Sequence, residues 1–189
     1  MAGQLKIGGN VIATHAGTEG AGTVTLDSST LTIGSNTTIS GADIASATFP
    51  AGHILQVQST SGYGTISTNS TSFTATGVRV TMNALKSTSS DLQIFFHDGE
   101  TDMSAVCYQT TTFYHSINGG SYSEISNTSS EIYHGSTADS RFSHPRYERY
   151  NPQTTGTVAI EVYFKTNTGT IWLAKPNDRY SLVVMEVAG

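Results

Sequence analysis

The densest set of chemically capable side chains is His97-Asp98-Gly99-Glu100-Thr101-Asp102, with one imidazole and three carboxylates in six residues. Carboxylate oxygens spaced around a glycine turn are the donors that calcium takes. The run lacks the regular Asp-x-Asp-x-Asp spacing and the bidentate glutamate that closes a calcium loop, so it reads as a solvated turn between two strands. His15, His53, His97, His115, His134 and His144 include no pair at H-x-H or H-x3-H spacing. Cys107 is the single cysteine. Neither a zinc constellation nor an intrachain disulfide is therefore expected. Within Ala105-Val106-Cys107-Tyr108 the thiol reads as a small buried hydrophobe. No metal or other cofactor is implied.

Nucleophilic chemistry finds no better footing. Serine is so abundant that chance Ser/His neighbours are inevitable, and no Gly-x-Ser-x-Gly elbow occurs. Glycoside hydrolysis needs two carboxylates across a cleft, and most acids here lie in turns. Gly17-Thr18-Glu19-Gly20-Ala21-Gly22 has the glycines of a phosphate loop but no helix pattern after it. The expectation is a protein that is not an enzyme.

The remaining candidate is Arg141-Phe142-Ser143-His144-Pro145-Arg146-Tyr147-Glu148-Arg149-Tyr150, which mixes planar cations with aromatics. These residue types dominate protein interfaces, and they also stack on sugars. Arg146, Tyr147, Arg149 and Tyr150 are the surface-recognition candidates, for another protein surface or a glycan. The cluster is too small for nucleic acid. Lys plus Arg number 9 in the whole chain and the net charge is −5, whereas phosphate binding needs a cationic patch.

These residues must be held by strands. Only 12% of residues are charged, about half the roughly 25% usual in soluble domains, and Ser plus Thr exceed a quarter of the chain. The Val, Ile, Thr, Tyr and Phe fall in strand-length runs, so the polar remainder reads as outward faces and turns. Residues 1–49 alternate weakly at 4–7, 10–15, 23–26 and 31–33, separated by glycine-rich turns. They hold no aromatic before Phe49. This stretch reads as an extended β-rich arm that orders by pairing with a partner. Its apolar residues Leu5, Ile7, Val11, Ile12, Val24, Leu26, Leu31 and Ile33 are the candidate attachment positions.

Residues 50–189 carry heavier strands, expected at 53–59, 73–82, 91–97, 105–117, a broken 122–133, 157–166, 170–174 and 179–187. The runs at 158–164 and 182–187 are too apolar for one-sided strands and should be central, packed on both faces. Asn167-Thr168-Gly169 reads as a hairpin turn and Pro176-Asn177-Asp178 as the next turn. A helical turn at most is expected at 44–47 and 83–86, and residues 135–155 read as a surface loop. The class is all-β, a jelly-roll-like antiparallel β-sandwich behind the N-terminal arm.

The block Pro50-Ala51-Gly52-His53-Ile54-Leu55-Gln56-Val57 resembles the opening strand of a C1q/TNF-like jelly roll found in bacteriophage structural proteins. Val78-Arg79-Val80-Thr81-Met82-Asn83, the polar turn Ser87-Thr88-Ser89-Ser90 and the closing Met185-Glu186-Val187 are similar to that family in the same order. The resemblance covers residues 47–189. It implies a homotrimer serving as a virion decoration protein or fibre tip, and it brings no catalytic residues. The opening Met-Ala-Gly-Gln-Leu-Lys has no apolar run for export, and nowhere do 18 apolar residues follow one another. Release by lysis and residence on the capsid exterior, after assembly in the host cytoplasm, are expected. The leading expectation is a capsid decoration (cement) protein gripping the major capsid protein through residues 1–49. The alternative is a short tail-fibre or head-fibre tip binding a host receptor or glycan. Neither reading involves nucleic acid or a membrane.

Overall fold

A computed structural model describes residues 3–7, 10–16, 23–26, 50–135, 143–175 and 177–189. The chain falls into two units, residues 1–47 and 48–189. In the first, β1 (Gly3–Ile7), β2 (Asn10–Ala16) and β3 (Thr23–Leu26) form one antiparallel sheet in the order β1-β2-β3. The register aligns Leu5 with Ala13 and Ala13 with Leu26, and it shifts between Leu5 and Lys6. The weak alternation at 4–7, 10–15 and 23–26 thus does mark strands. The expected strand at 31–33 and helical turn at 44–47 lie outside the described residues.

The second unit is a sandwich. One sheet runs β12 (Arg146–Tyr150), β7 (Asp91–His97), β15 (Arg179–Val187), β4 (Ile54–Tyr63). The other runs β9 (Cys107–Ile117), β13 (Val158–Thr166), β6 (Thr74–Met82), with β10 (Ser123–Glu124) and β11 (Ser130–His134) both on the free side of β9. All pairings are antiparallel. Along the chain the long strands pass from sheet to sheet at nearly every step, and only β9 to β10 and β11 stays within one sheet. That winding is a jelly roll. A small third sheet, β5 (Ile66–Thr68), β14 (Ile171–Leu173), β8 (Asp102–Met103), sits beside it. No helix occurs among the described residues, and 83–86 is irregular.

The core follows from period-two burial. Val78, Val80 and Met82 of β6 and Val158, Ile160, Val162 and Phe164 of β13 face Leu92, Ile94 and Phe96 of β7 and Leu182 and Val184 of β15. Each such side chain contributes about 1.5–3 kcal/mol on burial. Phe96 and Phe113 meet edge-to-face across the sandwich, centroids 6.3 Å apart. The alternation of β6 is unbroken, but its pairing with β13 shifts register around Gly77, whose φ of 77° favours glycine. The freed Gly77 N–H donates to Glu161 Oε1 at 3.2 Å, so this bulge is fully partnered.

Three expectations need correction. The span 135–155 is not all loop, because β12 lies within it as an edge strand on β7. Arg-Tyr-Glu-Arg-Tyr puts a charge on both faces of the strand, which erased the alternation that would have marked it. Asn167-Thr168-Gly169 turns the chain but makes no hairpin, since β14 pairs with β5 and β8 and not with β13. The apolar runs in β13 and β15 are central in their sheets, yet several outward positions are incompletely covered, Ala159 and Tyr163 on β13 among them. Val183 and Met185 on β15 are only partly buried.

Two charged side chains are buried between the sheets. Glu186 is fully enclosed; its Oε1 accepts from Lys86 N (2.7 Å) and its Oε2 from Gln56 Nε2 (2.6 Å). Gln56 also bonds both the N–H and the carbonyl of Asn83, so one carboxamide mimics a strand partner. Toward the opposite edge, Arg146 turns inward from β12. It donates to Thr111 O (2.9 Å) and Thr128 O, pairs with Glu148 (3.0 Å), and lies over the Phe113 ring at 5.5 Å. Removing it leaves two buried carbonyls without donors. Arg146→Met is expected to destabilise the fold by about 3 kcal/mol. Arg149→Ala, breaking the more exposed Asp91 pair, should cost under about 1 kcal/mol. Urea titration of both variants checks the contrast; equal losses would contradict the clamp.

Candidate functional site

The outward face of the β12-β7-β15-β4 sheet departs from the usual polar-out pattern of a solvated antiparallel sheet. Strand register places its outward positions in rows. Ser59, Val183, Phe95 and Tyr147 form one row across all four strands, and Val57, Met185, Gln93 and Arg149 the next. Val57, Phe95 and Tyr147 are 49%, 38% and 53% exposed. The Phe95 and Tyr147 rings lie 5.0 Å apart, tilted by 43°. Charge is confined to the margins of these rows, where Arg149 pairs with Asp91 on β7. An uncharged apolar band at the centre of an exposed sheet is the chemistry of a protein interface.

The surface-recognition residues named from the sequence divide across β12. Tyr147 and Arg149 face outward, Tyr147 within this band and Arg149 at its margin. Arg146 is only 8% exposed and Tyr150 is half-buried. The Tyr150 hydroxyl is hydrogen-bonded to His115 Nδ1 at 2.6 Å. Arg146 is thus a structural clamp and not a recognition residue, as strand alternation dictates. Of the attachment candidates, Leu5 and Ile7 lie on β1, Val11 and Ile12 on β2, and Val24 and Leu26 on β3; Leu31 and Ile33 lie outside the described residues. Sequence reasoning missed Phe95, Val183, Met185 and Val57. Their signal was present in the run 182–187, whose excess apolarity had been assigned to packing on both faces.

The acidic run after β7 disperses. Asp98 is buried; its Oδ1 accepts from His144 N (2.7 Å) and Ser143 Oγ (3.4 Å). Asp102 pairs with Lys175. Among the described residues no three His, Cys, Asp or Glu side chains converge on one point. Ser143, His97 and Asp98 do form a Ser/His/Asp cluster, with Ser143 Oγ 3.0 Å from His97 Nε2. Its polarity is wrong for a triad. His97 Nδ1 accepts from Gly99 N (3.2 Å), so in the neutral ring Nε2 carries the proton and points it at the serine. The aspartate binds the serine and not the imidazole, so the Asp–His–Ser relay of a triad is not formed. Cys107 is buried and free of disulfide.

Burial sets the titration of three histidines in different parts of the sandwich. His115, His134 and His144 are each held below the ordinary imidazole value of 6.5, with desolvation the leading cause. Burial also raises Asp98, outweighing its bond from His144 N. No protein-family model matches the chain, and no curated protein matches its sequence.

The three histidines imply a pH dependence with a definite sign. Their folded values are depressed, so below 6.5 the unfolded chain binds more protons than the fold does. Stability should therefore fall as pH drops through this window. His115→Gln keeps a polar partner for Tyr150 and should flatten the slope. Denaturant titration at about pH 7.5 and about pH 5 measures it. A slope that H115Q leaves unchanged would show that His115 does not contribute.

Proposed function

We propose that the chain is a bacteriophage structural protein, a homotrimeric capsid decoration (cement) protein that binds the assembled shell through residues 1–49. The observation that carries the reading is the uncharged band Val57, Phe95, Tyr147, Val183 and Met185 across one outer face of a jelly roll. A monomer gains nothing from placing valine and methionine at the outward positions of a central strand. A copy of itself seated there seals them. The similarity of residues 47–189 to C1q/TNF-like jelly rolls of phage proteins points the same way.

A separate β-rich N-terminal unit suits attachment. Three such units on one trimer add avidity, because the second and third contacts become intramolecular. Binding to the assembled shell stabilises it by mass action. The low charge and absence of cationic clusters favour a protein surface over nucleic acid as the partner.

Val183→Lys puts a charge in the band without touching the core. It is expected to turn a trimer into a folded monomer at micromolar concentration, seen by analytical ultracentrifugation with unchanged circular dichroism. A wild-type protein that is itself monomeric there overturns the trimer. Gel densitometry of purified particles should find tens to hundreds of copies. A handful of copies would favour the fibre-tip reading. Deleting residues 1–49 should abolish shell binding while leaving the trimer.

A further inference from the structure

The opposite face of the sandwich carries a second unused feature. Over the outward side of β6, β13 and β9 lies a cavity of about 300 Å³, lined by Arg79, Thr81, Ser116, Tyr122, Ala159 and the Gly119-Gly120 turn. Its volume is at the lower end of small-molecule sites, roughly 300–1,000 Å³. Outward strand positions usually meet open solvent. Here the turn after β9 folds back as a wall. Ser116 Oγ donates to Gly120 O at 2.6 Å, Gly120 N to Ile117 O at 2.9 Å, and Asn118 is bonded to both backbone groups of Thr157 (2.9 and 3.0 Å). The left-handed φ of 73° at Gly119 makes this wall possible. The cavity is therefore built before any ligand arrives.

From this cavity an aromatic ridge runs along the same face. Tyr122 neighbours Tyr163 (6.3 Å), Tyr163 stacks on Tyr114 (3.9 Å, 20°), and Tyr114 meets Phe73 edge-on (6.2 Å). Lys165 covers the Phe73 ring at 4.5 Å. Charges along the ridge are balanced: Arg79 lies beside Glu161, and Glu124 beside Tyr114, with Lys165 at the far end. Arg79 and Tyr122 both line the cavity and lie within electrostatic reach of each other.

We propose that this cavity and ridge form a binding site for a neutral oligosaccharide, its terminal ring in the cavity and its following rings along the tyrosines. A sugar ring offers an apolar C–H face to an aromatic and a rim of hydroxyls to hydroxyl, guanidinium and backbone groups. Tyr122, Arg79, Thr81 and Ser116 supply that combination within one enclosure. A phosphate or an acidic polymer would require uncompensated cations, and Glu161 offsets Arg79. A nucleobase would need a slot between two rings, and the Tyr114–Tyr163 stack is already closed. The site is on the sheet face opposite the apolar band, so saccharide binding and self-association can coexist, and it does not depend on the cement reading.

Saturation-transfer NMR and calorimetry on the full chain test it, with maltotetraose, cellotetraose and chitotetraose as neutral probes and a tetragalacturonate and AMP as controls. At least one neutral probe is expected to bind with a submillimolar Kd. Tyr122→Ala, which removes the platform, and Thr81→Trp, which fills the cavity from an exposed strand position, should each weaken it tenfold or more with circular dichroism unchanged. Failure of all three neutral probes at millimolar concentration overturns the proposal. So does tighter binding of tetragalacturonate or AMP, or retention of affinity in both variants.

Discussion

A charge taken out of water between two sheets must find every one of its hydrogen bonds inside the protein, and that requirement organises this sandwich. Hydrophobic side chains alone would hold the sheets together but would tolerate sliding, because apolar contact has no direction. Glu186 and Arg146 do not tolerate it. Glu186 takes a backbone N–H from the segment after β6 and an amide from β4. Arg146 reaches from edge strand β12 to carbonyls on β9 and on the turn before β11. One clamp lies where β15 meets Leu92, the other where β12 meets Phe96, near opposite ends of β7. Any shift of one sheet over the other would strand a buried charge, at a cost of several kcal/mol.

With the sheets locked, their outer faces are free to differ. The β12-β7-β15-β4 face is apolar in its middle and charged at its edge. The β6-β13-β9 face is tyrosine-rich, charge-balanced and excavated. Neither property serves the core, which is complete without them.

How much of this could be read from residues alone varies with the signal each segment carries. The strands at 91–97 and 179–187 were legible to the residue because Leu92, Ile94 and Phe96, or Leu182 and Val184, recur at period two between turn formers. β12 was hidden: Arg146 and Glu148 point inward where apolar residues were to be expected, and their burial depends on carbonyls distant in sequence. Strand order was beyond reach for the same reason, since each neighbour is chosen by long-range pairing. Gln56, Asn83 and Glu186, far apart in sequence, are hydrogen-bonded into one cluster that residue patterns could not reveal. For the candidate surface, Tyr147 and Arg149 were found from composition, whereas Phe95 and Val183 became visible only once register set them side by side.

The winding also governs time. Both central strands, β13 and β15, come late in the chain, and β15 lies between β4 and β7, which precede it by more than a hundred residues and by nearly ninety. Neither sheet can close until those strands have been made. Such non-local closure slows folding, and the early strands must wait with their edges unpaired. The reverse journey is equally obstructed. To open the sandwich, a strand hydrogen-bonded on both sides must be pulled from the middle of a sheet, which places the barrier on the unfolding side. Durability of this kind is measured as a lifetime and not as an equilibrium constant.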